Sequence, residues 1–365
     1  MKKICADVFR FIGSVAFISS LTVFAAVAPF SCKVTDDVGD GTPSDSTPPS
    51  LVSFSVLDER SVKFEFSEGV SLGNVSVSDS SGGAFAVDGS SISFSEDKSS
   101  AEIAFVNGTE VGKDYVLRAV VSDFSGNSLE LEQSFIGFNS NKARLAMSEL
   151  RLKQSANSKE PLKSKVEFVE FCVLKGGNLF GQRVDFGYYS KSYEFPSVEV
   201  AAGERVVLHL RKYGTAADGF VDELGSDLSE STAQDSSSAR DLWMANTSSV
   251  ITQNDVVALV DCYSGLAVDG IMAATAGKES WSRKNQSALA SLLVSSSVWA
   301  SDSTSSAVVS DNASYARTLS RQNMAAVSER FSMNPDVPVP VSADDWIIAS
   351  EATPGTENST VAYSK

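Results

Sequence analysis

The chain contains one histidine, His209, and that scarcity excludes more chemistry than any motif adds. A Ser-His-Asp triad needs an exposed imidazole beside a serine, whereas His209 sits inside Val-Val-Leu-His-Leu, an apolar run that reads as a buried strand. Zinc sites built on paired His or Cys spacings are excluded in the same way, because no such spacing occurs. There is no Gly-x-Ser-x-Gly elbow, no phosphate-binding loop and no His-Glu-x-x-His helix. Positive charge is also sparse, with 30 Lys and Arg against 46 Asp and Glu and a net charge of −16. An acidic surface without a basic cluster repels phosphate backbones, so no nucleic-acid partner is expected. No cofactor and no metal are expected either.

Of the four cysteines, Cys5 and Cys32 fall at the N-terminus, leaving Cys172 and Cys262 for the fold. An exported compartment permits a Cys172–Cys262 disulfide. Both residues lie in strand-like runs, however, and two buried thiols are the plainer reading.

What is present begins with an export signal. Lys2, Lys3 and Arg10 precede an apolar run from Phe11 to Phe30, broken by Gly13, Ser14, Ser19, Ser20 and Pro29. A run of about 20 residues can span a bilayer, but the small residues and the basic start read as a cleavable signal over 1–31. Ala26-Val27-Ala28 offers an ordinary cleavage site, with Pro29 unfavourably placed after it. The segment also resembles the lipoprotein signals of diderm bacteria, with Ser31 before Cys32, although Pro29 and Phe30 depart from that pattern. The resemblance implies acyl chains on Cys32 and a membrane anchor, which several chains make durable. Polar residues 32–46 then read as a flexible tether. Residues 1–31 carry +2, which leaves −18 on the remainder.

Beyond the tether, about 320 residues suit two domains. Residues 47–140 show short alternating strands, as in Leu51–Leu57 and Val62–Phe66, and in Tyr115, Leu117, Ala119 and Val121 along one face. Asp88-Gly89 reads as a tight reversal. Seven or eight strands in some 90 residues match the size of an immunoglobulin-like sandwich. Thr-Pro-Pro (47–49), Phe-Ser-Glu-Gly-Val (66–70) and Asp-Phe-Ser-Gly-Asn (123–127) resemble the bacterial Ig-like domains of surface proteins. Asp123 and Asn127 read as turn formers around Gly126, and Glu68 as the cap of a strand exit. Calcium on these three oxygen-bearing side chains is the less favoured alternative.

Residues 143–358 open with Met-Ser-Glu-Leu (147–150) and Phe-Val-Glu-Phe (168–171). Gly-Glu-Arg (203–205), Val-Val-Ala-Leu-Val-Asp (256–261), Leu-Ser-Arg (319–321), Trp346 and Thr-Pro-Gly (353–355) follow in order. This series resembles the lamin-tail domain, a compact Ig-like sandwich, with insertions at about 214–250 and 276–314. Within the second insertion Trp281, Ala288, Leu289, Leu292, Leu293 and Trp299 recur at helical spacing, predicting a helix packed on the sandwich. The Ser-rich run 301–314 reads as a solvated loop.

The expected fold is therefore all-β, two Ig-like β-sandwich domains in tandem with one short helical insertion in the second. The leading functional expectation is a non-enzymatic lipid-anchored protein of the bacterial cell envelope, held at the outer membrane and binding an unidentified protein or glycan. An accessory role in an extracellular hydrolase system is the first alternative. The second is a hydrolase with an unrecognised carboxylate site. For that last reading Glu149 and Glu170 are the pair to watch, because they stand in corresponding strands of the lamin-tail pattern; a structural hydrogen-bonding role is the expected one.

Overall fold

The structure, a computed structural model, describes residues 45–364 apart from 86, 234–237 and 336. The signal segment, Cys32 and the tether up to residue 44 lie outside the described residues.

Alternating sequences build the first region. Its strands are β1 (Leu51–Asp58), β2 (Ser61–Phe66), β3 (Val70–Asp79), β4 (Ala84–Phe85), β5 (Val87–Phe94), β6 (Ser100–Phe105), β7 (Asp114–Asp123) and β8 (Ser128–Ile136). They form two antiparallel four-stranded sheets, ordered β1-β2-β6-β5 and β4-β3-β7-β8. Side chains on successive residues point to opposite faces. In β7 this buries Tyr115, Leu117, Ala119 and Val121, the face read from the sequence. The interior is aromatic: Phe54, Phe64, Phe66, Phe105, Tyr115 and Phe135 pack with Val62, Ile103 and Val70. The Phe54 and Phe64 rings lie 4.8 Å apart, and Phe135 stacks on Tyr115 at 5.4 Å. Burying each such side chain contributes roughly 1.5–3 kcal/mol. Strand β5 runs through Asp88 and Gly89, so the reversal expected there is absent. Its register against β6 slips nearby instead, as a bulge does.

A short link ties this sandwich to the next. Asn139 donates through Nδ2 to the Asn178 and Phe180 carbonyls (3.0 and 2.7 Å), and its N–H bonds the Tyr263 hydroxyl. Phe138 stacks on Tyr263 at 4.5 Å. A Cβ at Gly137 would stand 1.9 Å from the Glu110 carbonyl, so only glycine allows this approach.

The second region comprises β9 (Arg144–Arg151), β10 (Phe168–Lys175), β11 (Gly177–Asn178), β12 (Gln182–Phe186), β13 (Lys191–Glu194), β14 (Glu199–Val200), β15 (Arg205–His209), β16 (Arg240–Trp243), β17 (Asp255–Asp261), β18 (Ala267–Ala274), β19 (Val308–Val309), β20 (Leu319–Arg321) and β21 (Trp346–Ile348). A six-stranded sheet, β16-β15-β10-β9-β20-β21, faces a five-stranded one, β13-β12-β17-β18-β19. Their shared core gathers Leu145, Met147, Val169, Phe171, Val206, Leu208, Val257, Leu259 and Ile271. The all-β sandwich expectation holds.

Two helices accompany the strands. Helix α1 (Lys284–Ser295) falls in the predicted segment and packs on β17 and β18, burying Gln286, Ala290 and Leu293. The predicted stripe is partly displaced: Ala288 is exposed, and Trp281 and Trp299 lie outside the helix. Gln286 takes an inward place because its amide is fully used, donating to the Asn254 carbonyl and accepting from the Ser282 and Arg283 N–H groups. Helix α2 (Met324–Met333) was not predicted; its Val327 and Phe331, one turn apart, cover Ala146. The Ser-rich run is not merely solvated. Thr304 and Ser310 are buried, and Val308–Val309 adds parallel strand β19 to β18.

Cys172 and Cys262 are free thiols, not a disulfide. Phe171 and Val173 point into the core, so Cys172 between them points out of the opposite face of its sheet. Cys262 follows β17 on the other sheet. Burial raises both thiol pKa values, that of Cys262 to about 11, which keeps them unreactive. Among the described residues no helix is long and apolar enough to cross a membrane.

Candidate functional site

The outer face of the six-stranded sheet is polar, yet it is buried. Core side chains alternate with Glu149 and Arg151 on β9, Glu170 on β10, Arg205, Val207 and His209 on β15, and Asp241 and Trp243 on β16. Such groups tolerate burial only when hydrogen-bonded or paired. Here the cover is the chain's own C-terminal segment, a strap over 351–360, together with residues 213–233 and α2.

Glu149 and Glu170 sit opposite one another in the β9–β10 register, with Ser148 as the extra residue of an adjoining bulge. Both are 0 % exposed. Glu149 accepts from the Thr318 hydroxyl at 2.5 Å, from the Thr353 N–H at 2.9 Å and from the Thr353 hydroxyl at 3.0 Å. Glu170 accepts from Ser148 Oγ (2.6 Å), Arg205 Nη1 (2.5 Å) and the Gly355 N–H (2.6 Å). Asn358 completes the clasp, donating to the carbonyls of Ser148 and Arg321 at 2.7 and 2.9 Å. Each carboxylate thus holds backbone of the strap. Burial raises both acids, Glu149 against the hydrogen bonds of Thr318 and Thr353, and Glu170, to about 7, against the pull of Arg205 and Ser148. The sequence pointed to these two residues as a pair; it carried no sign that Thr353 and Gly355, some 200 residues away, were their partners.

His209 lies on the same covered face. Its Nε2 meets Asp241 Oδ1 at 2.6 Å and its ring stacks on Trp243 with centroids 4.0 Å apart. It is 2 % exposed. Three further ion pairs are buried: Arg211–Glu167, Arg240–Glu204 and Arg321–Asp269.

In the first sandwich Asp123 acts as the sequence suggested. Its carboxylate accepts from the Ser125 and Asn127 N–H groups at 2.8 Å and from the Asn127 side chain at 2.8 Å. The structure adds Asp45, from the end of the tether: carboxylate oxygens of Asp45, Glu68 and Asp123 lie within 4.8 Å of one another. The Glu68 pKa is raised, first by desolvation and then by its two acidic neighbours. Oxygen donors at this spacing suit a hard cation such as calcium.

A cleft of about 670 Å³ opens between the strap and the first turn of α2. Arg205 lines it, with Asn323, Met324 and Ala325 on one wall and Glu357 and Thr360 on the other. The Arg205 side chain is 17 % exposed; Nη1 serves Glu170 and Asn358, while Nε and Nη2 make no hydrogen bond among the described residues. Asn323 holds a left-handed conformation (φ 55°) and provides no side-chain cap. Among the described residues the N–H groups of Met324 and Ala325 therefore meet no acceptor.

Comparison with known proteins adds a family. The family described as TP_1001_2nd, protein second domain, matches residues 143–348, more than half of the chain. A Treponema pallidum (strain Nichols) protein described as uncharacterized is 34 % identical over 146 residues, 39 % of this chain and 34 % of its own length. The chain thus spans about a third of that relative. Among solved structures, the N-terminal part of the bacterial S-layer protein SbsC aligns at TM-score 0.25 and 14 % identity, over 63 % of this chain and 44 % of that one. A DUF4876 family protein from Bacteroides thetaiotaomicron aligns at TM-score 0.30 and 9 % identity, over 82 % and 93 %. Likenesses this shallow bear on neither fold nor role.

Proposed function

We propose that this chain, which belongs to the TP_1001_2nd protein second domain family, is a non-enzymatic binding or structural module of the bacterial cell envelope, anchored through acyl chains on Cys32. In finer terms, residues 47–140 act as a bacterial Ig-like domain and residues 143–358 as a lamin-tail-like sandwich. The observation that carries the non-enzymatic reading is the commitment of Glu149 and Glu170. Each is buried beneath the strap and accepts at least three hydrogen bonds from groups of the chain itself. A general acid or base needs a carboxyl within reach of a substrate proton, and neither has that access. The anchoring half rests on the basic start, the apolar run and Ser31-Cys32.

Metabolic labelling with a clickable fatty acid tests the anchor: the wild-type chain takes label and Cys32→Ser does not. Label on both, or on neither, refutes it. A hydrolase screen tests the other half. Activity lost in Glu149→Gln or Glu170→Gln with an unchanged melting curve would restore the enzyme reading.

A further inference from the structure

The cleft beside the strap has a chemistry that none of the comparisons assigns. Its donors are unbalanced. Arg205 presents Nε and Nη2 without acceptors among the described residues, and the fork they form suits a carboxylate. The opposite wall offers the unmatched N–H groups of Met324 and Ala325 at the N-terminus of a ten-residue helix, an end that attracts negative charge. Arg321 also borders the cleft, its carbonyl accepting from Asn358 Nδ2, while its guanidinium is committed to Asp269 on β18. Among the lining residues only Glu357 carries negative charge, and it is exposed at the rim.

Size and lining narrow the ligand. About 670 Å³ lies in the range of small-ligand and peptide sites and far exceeds a lone acetate. No aromatic ring lines the cleft, so a sugar finds no face to stack on.

We propose that this cleft binds a carboxylate, supplied by the C-terminal end of a peptide chain, with Arg205 as the fork and the first turn of α2 as the second arm. The proposal deepens the binding-module reading and rests on it. Capture of a terminal carboxylate by backbone N–H groups and a cation is a recurring mode of peptide recognition.

Isothermal titration of the full-length protein tests it with three probes: acetate, N-acetyl-trialanine free acid and the same peptide as its C-terminal amide. The free acid should bind at least about tenfold more tightly than the amide, because the charge-assisted contacts are lost with the charge. Equal binding of acid and amide, or no binding of either, overturns the proposal. Acetate as tight as the peptide acid would reassign the site to small carboxylates and overturn the peptide source.

Arg205→Gln should abolish the preference for the acid, but it also strips Glu170 of its partner. Thr360 avoids that difficulty: it is exposed at the rim and makes no side-chain hydrogen bond among the described residues. Thr360→Lys should tighten the acid and Thr360→Glu weaken it, each by a few-fold, as expected for rim charges. Affinities unmoved by both substitutions would place the ligand elsewhere. A failure of these titrations with Cys32 labelling intact removes the cleft assignment alone.

Discussion

The two sandwiches solve the same problem with different interiors. In the first, one face of each sheet is apolar and the other is wet, so stability comes from aromatic burial around Phe54, Phe64, Phe105 and Phe135. Its ion pairs Lys63–Glu65 and Arg118–Glu132 are exposed, where such contacts matter little, and Lys113–Asp79 is half-buried at its edge. In the second, the six-stranded sheet is covered on both sides, and the outer cover lies on carboxylates and guanidinium groups. Burying apolar area is non-directional. Burying ionised groups is not, because each needs its partner in place. The first interior should thus tolerate change in proportion to volume lost, and the second should fail wherever one partner goes.

Asp269→Ala offers the hardest test of that contrast. Asp269 accepts from the Met147 N–H at 2.6 Å and from Arg321 Nη1 at 3.0 Å, so its loss leaves a buried cation unmatched. A cost of about 3–5 kcal/mol is expected, seen in denaturant melts as early loss of the second region while the first unfolds at its usual midpoint. Phe64→Ala is the mirror experiment. It should cost a similar ~3–5 kcal/mol through cavity formation, confined to the first region. If each variant shifts both regions equally, the two interiors are not separate.

A smaller effect is expected at the strap. Glu149→Ala leaves the Thr353 N–H and hydroxyl without their acceptor and the Thr318 hydroxyl with only the long contact to the Glu351 carbonyl, costing about 1–3 kcal/mol. Limited proteolysis should then cut within 351–360 before any other site. Protection of the strap in the variant would show that Glu170 and Asn358 hold it alone.

The smallest effect is a slope in pH. Burial raises Glu170 and Asp255 to about 7 in the folded chain, whereas both titrate near 4 when unfolded. Between those values the native state binds more protons than the unfolded state, so stability is fullest below the unfolded pKa and declines as pH rises towards 7. Melting temperatures measured from pH 4.5 to 7.5 should fall for the second region and stay level for the first. Glu170→Gln should flatten part of that decline, leaving the share of Asp255. An unchanged slope would show that Glu170 is ionised throughout.

Legibility follows the same division. Alternation exposed the strand faces of the first region because one side is apolar and the other polar, as in β7. In the second region β9 is buried along almost its whole length, so its Leu-Ala-Met-Ser-Glu-Leu reads as a strand without showing which face carries partners. Helix α2 was missed because only Val327 and Phe331 mark its buried side. Asp45 could not be joined to Glu68 and Asp123 because it comes from a stretch whose composition reads as tether.

By itself the chain's order of residues determined the β character, the two-part layout and the poverty of reactive groups, since local periodicity and composition report on backbone choice and side-chain inventory directly. Tertiary structure alone decided that Glu149 and Glu170 clasp the strap, that the two cysteines stay apart, and that Arg205 and α2 share a cleft. Those outcomes depend on which distant segments satisfy each buried polar group, and hydrogen-bond matching over 200 residues of separation leaves no periodic trace.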